Sequence, residues 1–124
     1  MDTPLSLTPR EEMMWLVALL EGEGCFTKNG AYPNIVVSMT DEDTVRSAYK
    51  IAGCGEVSGP YPGKQKHHKP FWRWKVSDTK DVFALCHLVL PYMSFRRSVA
   101  IQKLQALQSE VIVPIWVRVA EWEK

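Results

Sequence analysis

Two glutamates close the first apolar segment of the chain. Glu21 and Glu23 come at the carboxyl end of a predicted helix, where the helix dipole disfavours negative charge by roughly 0.3–1 kcal/mol. Exposure to solvent is one explanation for two acids at this position. A bound cation is the other, because it reverses the sign of the local electrostatics and because carboxylates are oxygen ligands for hard divalent ions.

A line of small residues lies beside these acids. Ala18 and Gly22 are four residues apart on one face of the helix, and Met14 extends the line. Small side chains at this spacing allow two helix backbones to approach closely. The helix is apolar nearly all round over residues 13–20, so we predict that it packs against a second copy of itself.

A second group of functional side chains is basic. Residues 64–75 contain five cations and no acid, namely Lys64, Lys66, Lys69, Arg73 and Lys75. The chain has a net charge of only +1, so the basic character is local. Three aromatic residues, at positions 71, 72 and 74, lie among these cations. The combination suits a polyanion such as nucleic acid, and a solvated loop is the alternative.

Length and composition limit the possible classes. We predict one domain for the 124 residues, with a core over about residues 9–108 and an undecided tail over residues 109–124. Hydrophobic residues make up 46%, enough for a packed core, but no apolar run reaches the roughly 18 residues of a membrane span. No signal or transit peptide is indicated, so a cytoplasmic, non-secreted protein is expected. The three cysteines are odd in number and widely spaced, which favours small buried hydrophobes over disulfides or zinc.

The order of elements predicts an α+β domain with a four-stranded antiparallel sheet backed by helices on one side. The first helix starts at Pro9, after a capping box formed by Thr8 and Glu11. Strands follow over residues 25–28 and 32–39, joined through Asn29-Gly30, and a second pair spans residues 56–61 and 71–77. A helix that starts near Asp41 lies between the pairs, and two more helices, one capped by Asp78 or Thr79 and one over residues 95–108, follow them.

Residues 16–24, LVALLEGEG, resemble the defining motif of the LAGLIDADG homing endonucleases, with Glu in place of Asp at both acidic positions. Later landmarks occur in the order expected for that family: residues 33–41, residues 53–57, the aromatic and basic strand, and residues 90–93 followed by Arg96-Arg97. The resemblance covers residues 12–107. It implies the family's fold, with a saddle-shaped sheet.

The resemblance also implies a function. Single-motif members act as homodimers whose motif helices form the interface, here Met14, Ala18, Glu21 and Gly22. They cleave both strands of a long, pseudo-palindromic DNA target by phosphodiester hydrolysis that depends on Mg²⁺ or another divalent metal such as Mn²⁺. The expected partners are therefore double-stranded DNA and a second copy, with no membrane and no small-molecule cofactor.

The family motif assigns roles to particular residues of this chain. Glu23 matches the metal-binding acid, with the Gly22 backbone beside it, and Glu21 matches the more structural acid. Asp41 falls near a position that organises water around the metal, although helix capping explains it equally well. Arg96 or Arg97 matches a basic position that stabilises the transition-state phosphate or polarises water. An arginine there acts electrostatically, because it hardly loses a proton.

Strand alternation selects the side chains expected to contact DNA. The sheet face assigned to DNA contains Thr27, Asn29, Tyr32, Asn34, Ser38, Arg73, Lys75 and Ser77, and the loop adds Lys64, Lys66 and Lys69. Arg and Asn suit base edges, whereas loop lysines more often meet phosphates. His67 and His68 are not expected to bind metal, because adjacent side chains point apart and no third ligand is near.

Two other functions remain open from the sequence. A LAGLIDADG-type protein that no longer cuts would act as an intron-splicing maturase or a DNA-binding regulator. An interaction domain with an incidental basic loop is the third reading, and its nucleic-acid binding would depend on salt without sequence preference.

Overall fold

The computed structural model describes residues 6–107, and its elements follow the predicted order. Within this range the chain forms α1 (Pro9–Glu23), β1 (Cys25–Asn29), β2 (Tyr32–Met39), α2 (Glu42–Ala52), β3 (Glu56–Tyr61), β4 (Phe71–Val76), α3 (Thr79–Val89) and α4 (Phe95–Gln105). A short 3₁₀ turn, Leu90–Tyr92, connects α3 to α4. The last helix ends at Gln105, and the predicted end at Gln108 and the undecided tail lie outside the described residues.

Local side-chain chemistry starts the helices. The backbone N–H of Thr8 donates to Glu11 Oε1 at 2.9 Å, and the Thr8 hydroxyl accepts from the Glu11 N–H at 3.2 Å. This reciprocal pair confirms the capping box and the start of α1 at Pro9. For α3 the capping residue is Asp78, whose carboxylate accepts from the backbone N–H of Asp81 at 3.2 Å.

The four strands form one antiparallel sheet, as predicted, and their order is β1-β2-β4-β3. Two strand boundaries and one turn differ from the prediction by one residue. β1 extends to Asn29, so the reversal is at Gly30-Ala31 rather than Asn29-Gly30. Gly30 has φ of 64°, which glycine adopts without a Cβ penalty. β4 ends at Val76, which leaves Ser77 beyond the strand.

One face of the sheet carries the core, and the helices pack on it. Ile35, Val37, Trp74 and Val76 are fully buried there and join the apolar faces of the helices in one cluster. The indole N–H of Trp74 donates to the carbonyl of Cys54 at 2.9 Å, which satisfies the polar atom of the largest fully buried side chain. The opposite face is not covered by a described helix and carries most of the polar strand residues.

The three cysteines differ in exposure. Cys54 and Cys86 are buried as predicted, and burial raises the pKa of the Cys86 thiol to about 12. The prediction is wrong for Cys25, which is exposed because it pairs with Val36 and shares its side of the sheet with Thr27.

None of the described helices has the length and apolar character needed to cross a bilayer.

Candidate functional site

Helix α1 is buried on one side only. Its side chains at positions 13, 16, 17 and 20 belong to the core. On the opposite side Met14 is 40% exposed, and Ala18 and Gly22 are exposed as well. A Cβ atom added at Gly22 would meet no atom of residues 6–107 within 4 Å. The predicted line of small residues is therefore open in the single chain.

The two glutamates at the end of α1 have different environments. Glu21 accepts hydrogen bonds from the backbone N–H of Ser94 at 2.6 Å and from the Ser94 hydroxyl at 3.0 Å. Glu23 is exposed, and no hydrogen-bond donor among the described residues reaches its carboxylate. One acid thus joins α1 to the start of α4, while the other remains available for a ligand.

The hydrogen bonds from Ser94 have an electrostatic consequence for Glu21. The backbone N–H of Ser94 holds the pKa of the Glu21 carboxyl below its usual value, against the opposing effect of desolvation. The positive charges of Arg97 and Arg96 lower this pKa further. The carboxyl is therefore ionised at neutral pH. Glu21 was predicted at the dimer interface, but its carboxylate is engaged within its own chain.

The two candidate arginines are also distinct. The Arg97 guanidinium donates to three carbonyl oxygens at the end of α1: Glu21 at 3.0 Å, Gly22 at 3.3 Å, and Gly24. Arg96 is exposed, on the preceding position of α4. Both arginines match the phosphate-stabilising position. Arg97 donates to the backbone of α1, and Arg96 does not.

Asp41 is the N-cap residue of α2, which is the structural role that the sequence allowed for it. Its carboxylate does not bond a backbone N–H of the helix but accepts a hydrogen bond from the hydroxyl of Thr44. The side chain is exposed. Its predicted contribution to organising water near a metal remains a prediction.

Strand register brings most of the predicted DNA-binding residues onto one face. Thr27 pairs with Asn34 and Asn29 pairs with Tyr32, so these four share a side of the sheet. Across β2 and β4, Ser38 pairs with Arg73, and Val36 pairs with Lys75. Sequence reasoning omitted Glu56 and Ser58 of β3, which pair with Lys75 and Arg73 and complete the polar face.

Arg73 is held in place on this face by aromatic rings. Its guanidinium carbon lies 5.1 Å from the ring centroid of Tyr61 and 5.8 Å from that of Phe71. Its Nε–H donates weakly to the Ser38 hydroxyl at 3.5 Å. Tyr61 hydrogen-bonds Ser58 at 2.8 Å, which steadies the ring. These contacts order a long cationic side chain before any ligand binds.

The β3–β4 loop and the end of β2 enclose a basic groove of about 610 Å³. Among the described residues, the charged side chains that line it are Lys64, Lys69 and Arg73, and His67 and His68 line it as well. The two histidine rings lie edge to face with centroids 4.5 Å apart. A groove without an acid suits phosphate oxygens.

Two predicted DNA contacts have unexpected positions. Asn34 lies on the polar face but is only 8% exposed, and its amide donates to the Tyr32 carbonyl at 3.5 Å. The period of two fixes a side chain's direction and leaves its burial to the neighbouring side chains. Ser77 lies beyond β4 rather than within it. Lys66 and the other loop lysines are exposed as expected.

The described residues contain no group of three or more His, Cys, Asp and Glu side chains that could hold a metal. The Glu23 carboxylate and the Gly22 carbonyl are oxygen donors, which Mg²⁺ and Ca²⁺ prefer. Such ions take about six or more ligands, so these two donors are only part of a coordination sphere. They fit a hard divalent cation that has further oxygen ligands.

Comparison with known proteins gives structural but not sequence similarity. No protein-family model matches the sequence, and no curated protein sequence matches it. Two solved structures of the homing endonuclease I-CvuI superpose with a TM-score of 0.58 at 18% identity, over 81% of this chain and 68% of that one. One holds its target with calcium, and the other holds the I-CreI target with magnesium and uncleaved DNA.

A third similar structure is the archaeal intron-encoded homing endonuclease I-Vdi141I in complex with DNA. It superposes with a TM-score of 0.52 at 10% identity, over 90% of this chain and 96% of the other. Identities this low carry the fold and not the activity. The sheet order, the motif helix and these superpositions agree, and the chain has the α+β fold of the LAGLIDADG homing endonucleases.

Proposed function

We propose that this protein is a homodimeric, divalent-metal-dependent endonuclease that cleaves double-stranded DNA at a long, pseudo-palindromic site. One observation carries the proposal: Glu23 extends, exposed and without a described donor, from the end of an apolar helix whose small-residue line is also exposed. A second copy packed on that line would bring two such carboxylates together. The fold that the chain shares with DNA-bound endonucleases supports this arrangement.

The dimer interface follows from the exposed side of α1. Met14, Ala18 and Gly22 form a continuous line with room for another helix. A two-fold interface uses the same surface on both copies, so the line packs against itself. The ends of the two helices, and hence the two Glu23 side chains, then lie side by side.

The polar sheet face supplies the DNA contact. Arg73 and Lys75 extend from its centre, and the loop lysines surround the adjoining basic groove. Cations on the loop neutralise phosphates and set the register, while Arg73 and the exposed Asn29 face the bases. Each protomer would read one half of the target, because the dimer repeats this face.

Residues from the end of α1 and from the starts of α4 and α2 have separate roles in the proposed hydrolysis. Glu23 and the Gly22 carbonyl would hold the cation, which when bound lowers the pKa of water and offsets charge on the phosphate. Arg96 lies at the exposed start of α4 and donates to a phosphate oxygen as negative charge accumulates there. Asp41, exposed at the start of α2, accepts a hydrogen bond from ordered water near the cut site.

Cleavage by Glu23→Gln tests the proposal directly. The change removes a negative charge and keeps the size of the side chain. Wild-type and variant protein are incubated with a randomised duplex library and Mg²⁺ or Mn²⁺, and the cut ends are sequenced. We expect only the wild type to cleave the duplex, and we expect Glu23→Gln to bind it as tightly as the wild type does. Glu12→Gln, on the first turn of the same helix, serves as the matched control.

Identical products from Glu23→Gln and the wild type would show that this carboxylate does not act in catalysis. Tight, sequence-preferring binding without nicking in any divalent metal would favour the maturase or regulator instead. Binding that disappears at moderate salt and shows no sequence preference would favour an interaction domain, because phosphate contacts alone are strongly salt-dependent.

A further inference from the structure

The junction between α1 and α4 joins two helix ends that each lack their usual charge partner. The last turn of α1 has no basic residue and contains two glutamates, although a cation is favoured at a helix carboxyl end. The first turn of α4 has no acidic residue, and its N-cap Ser94 makes no side-chain capping bond within its own helix. Each helix end is therefore incomplete on its own sequence.

The tertiary structure completes both ends reciprocally. Glu21 of α1 accepts the Ser94 N–H and hydroxyl, which places a carboxylate at the positive end of α4. Arg97 of α4 donates to the carbonyls of Glu21, Gly22 and Gly24, which places a guanidinium at the negative end of α1. These partners are 73 to 76 residues apart in the chain.

We propose that Arg97 is a positioning residue for the metal-binding end of α1, and that it is not the residue that contacts the phosphate. Its planar guanidinium holds carbonyls on both sides of Glu23 and so restricts the directions in which that carboxylate points. The inference rests on the proposed function, because it assigns a role in the same metal site. It separates Arg97 from Arg96, which the sequence could not do.

The geometry of arginine matters here, and charge alone does not suffice. Three carbonyls spread over four residues require donors in a fixed fork, which a lysine ammonium does not provide in the same geometry. The hydrogen bond to the Gly22 carbonyl is the longest of the three, at 3.3 Å, and a carbonyl oxygen has two lone pairs. The Gly22 carbonyl can therefore serve Arg97 and a metal ion together.

Two physical effects of Arg97 on metal binding oppose each other, and this gives the test its direction. A nearby cation repels a metal ion, so by charge alone removing Arg97 tightens metal binding. By positioning, removing it loosens the ligands and weakens binding. Groups that orient metal ligands change metal affinity by about 10–100-fold when mutated. We therefore expect positioning to dominate, with Arg97→Met and Arg97→Lys both weakening metal binding by about 10-fold.

The experiment measures Mn²⁺ binding to the full chain by electron paramagnetic resonance, without DNA and without turnover. Backbone hydrogen exchange at residues 22–24 is followed on the same samples, and we expect faster exchange in both Arg97 variants. Lys80→Met, on α3, removes one cation without touching the α1 carbonyls, so this control should bind Mn²⁺ as the wild type does. If Arg97→Met does not fold, Arg97→Lys carries the test.

The outcomes separate the inference from the function on which it rests. Wild-type affinity in Arg97→Lys, or tighter binding in Arg97→Met, would show that Arg97 acts through charge or not at all, and would leave the endonuclease proposal intact. Unchanged exchange at residues 22–24 would also overturn the positioning role. If the wild type bound no Mn²⁺ alone, the same comparison is made on duplex DNA, whose phosphates supply further ligands. No Mn²⁺ binding there either would overturn both this inference and the metal site of the proposed function.

Discussion

The substitution Gly22→Ala separates the needs of the folded chain from those of the dimer. Within the described part of the single chain, a Cβ at this position contacts nothing within 4 Å, so the methyl group causes no clash there. Alanine is favoured over glycine in helices by up to about 1 kcal/mol, so the free energy of unfolding should stay constant or rise slightly. The dimer should respond in the opposite direction, because the methyl group enters the space that the second helix needs.

The size of this effect can be worked from the two-fold arrangement. Inserting a methyl group into a close-packed contact costs about 1–3 kcal/mol. A symmetric interface contains the change twice, which gives about 2–6 kcal/mol and a dimer dissociation constant raised by roughly 30-fold or more. Ala18→Leu, one turn earlier, should act in the same direction. Gln102→Leu adds apolar surface to the exposed side of α4 and should leave association unchanged.

Sedimentation velocity over a dilution series measures the association, and urea denaturation of the dissociated protein measures the stability. A Gly22→Ala protein that dimerises as tightly as the wild type would refute the helix-to-helix interface. So would a wild type that stays monomeric at all concentrations and on duplex DNA. A loss of monomer stability in Gly22→Ala would show that the space beside this residue is already occupied in the single chain.

Two further predictions concern the fold. Trp74→Phe removes the indole donor to the Cys54 carbonyl in the core and should lower the free energy of unfolding by about 1–3 kcal/mol. Urea denaturation measures this change, and an unchanged midpoint would contradict a stabilising role for that hydrogen bond. The pKa of Glu21 is lower in the folded chain than in the unfolded one, so its stabilising effect is complete above about pH 4.3 and is lost as the pH falls through the folded pKa. Glu21→Gln should therefore have a lower free energy of unfolding than the wild type at pH 7, and this difference should narrow below about pH 4. Urea titrations at pH 7 and below pH 4 measure it, and a difference that stays constant between them would oppose this assignment.

The sequence alone determined the elements and most of the sheet faces, because these depend on local chemistry. The capping box at Thr8 and the alternation in β2 and β4 depend on neighbours within a few residues, and the structure confirms them. Boundaries shifted by a residue at Asn29 and Val76, where the pairing partner decides the end of a strand. The sequence pattern did not predict the burial of Asn34, because packing against neighbouring side chains decides how exposed that side chain is.

Local chemistry does not distinguish Glu21 from Glu23, or Arg96 from Arg97. The motif resemblance separated the two glutamates, and only the tertiary structure separated the two arginines. Each pair has the same side-chain chemistry at nearly the same sequence position, so local rules assign both members alike. The difference arises where two helix ends meet from distant parts of the chain, and each end bonds the nearest group that satisfies it. The missing charges at those ends were visible in the sequence. Which residue supplied them depended on the packing of α4 beside α1.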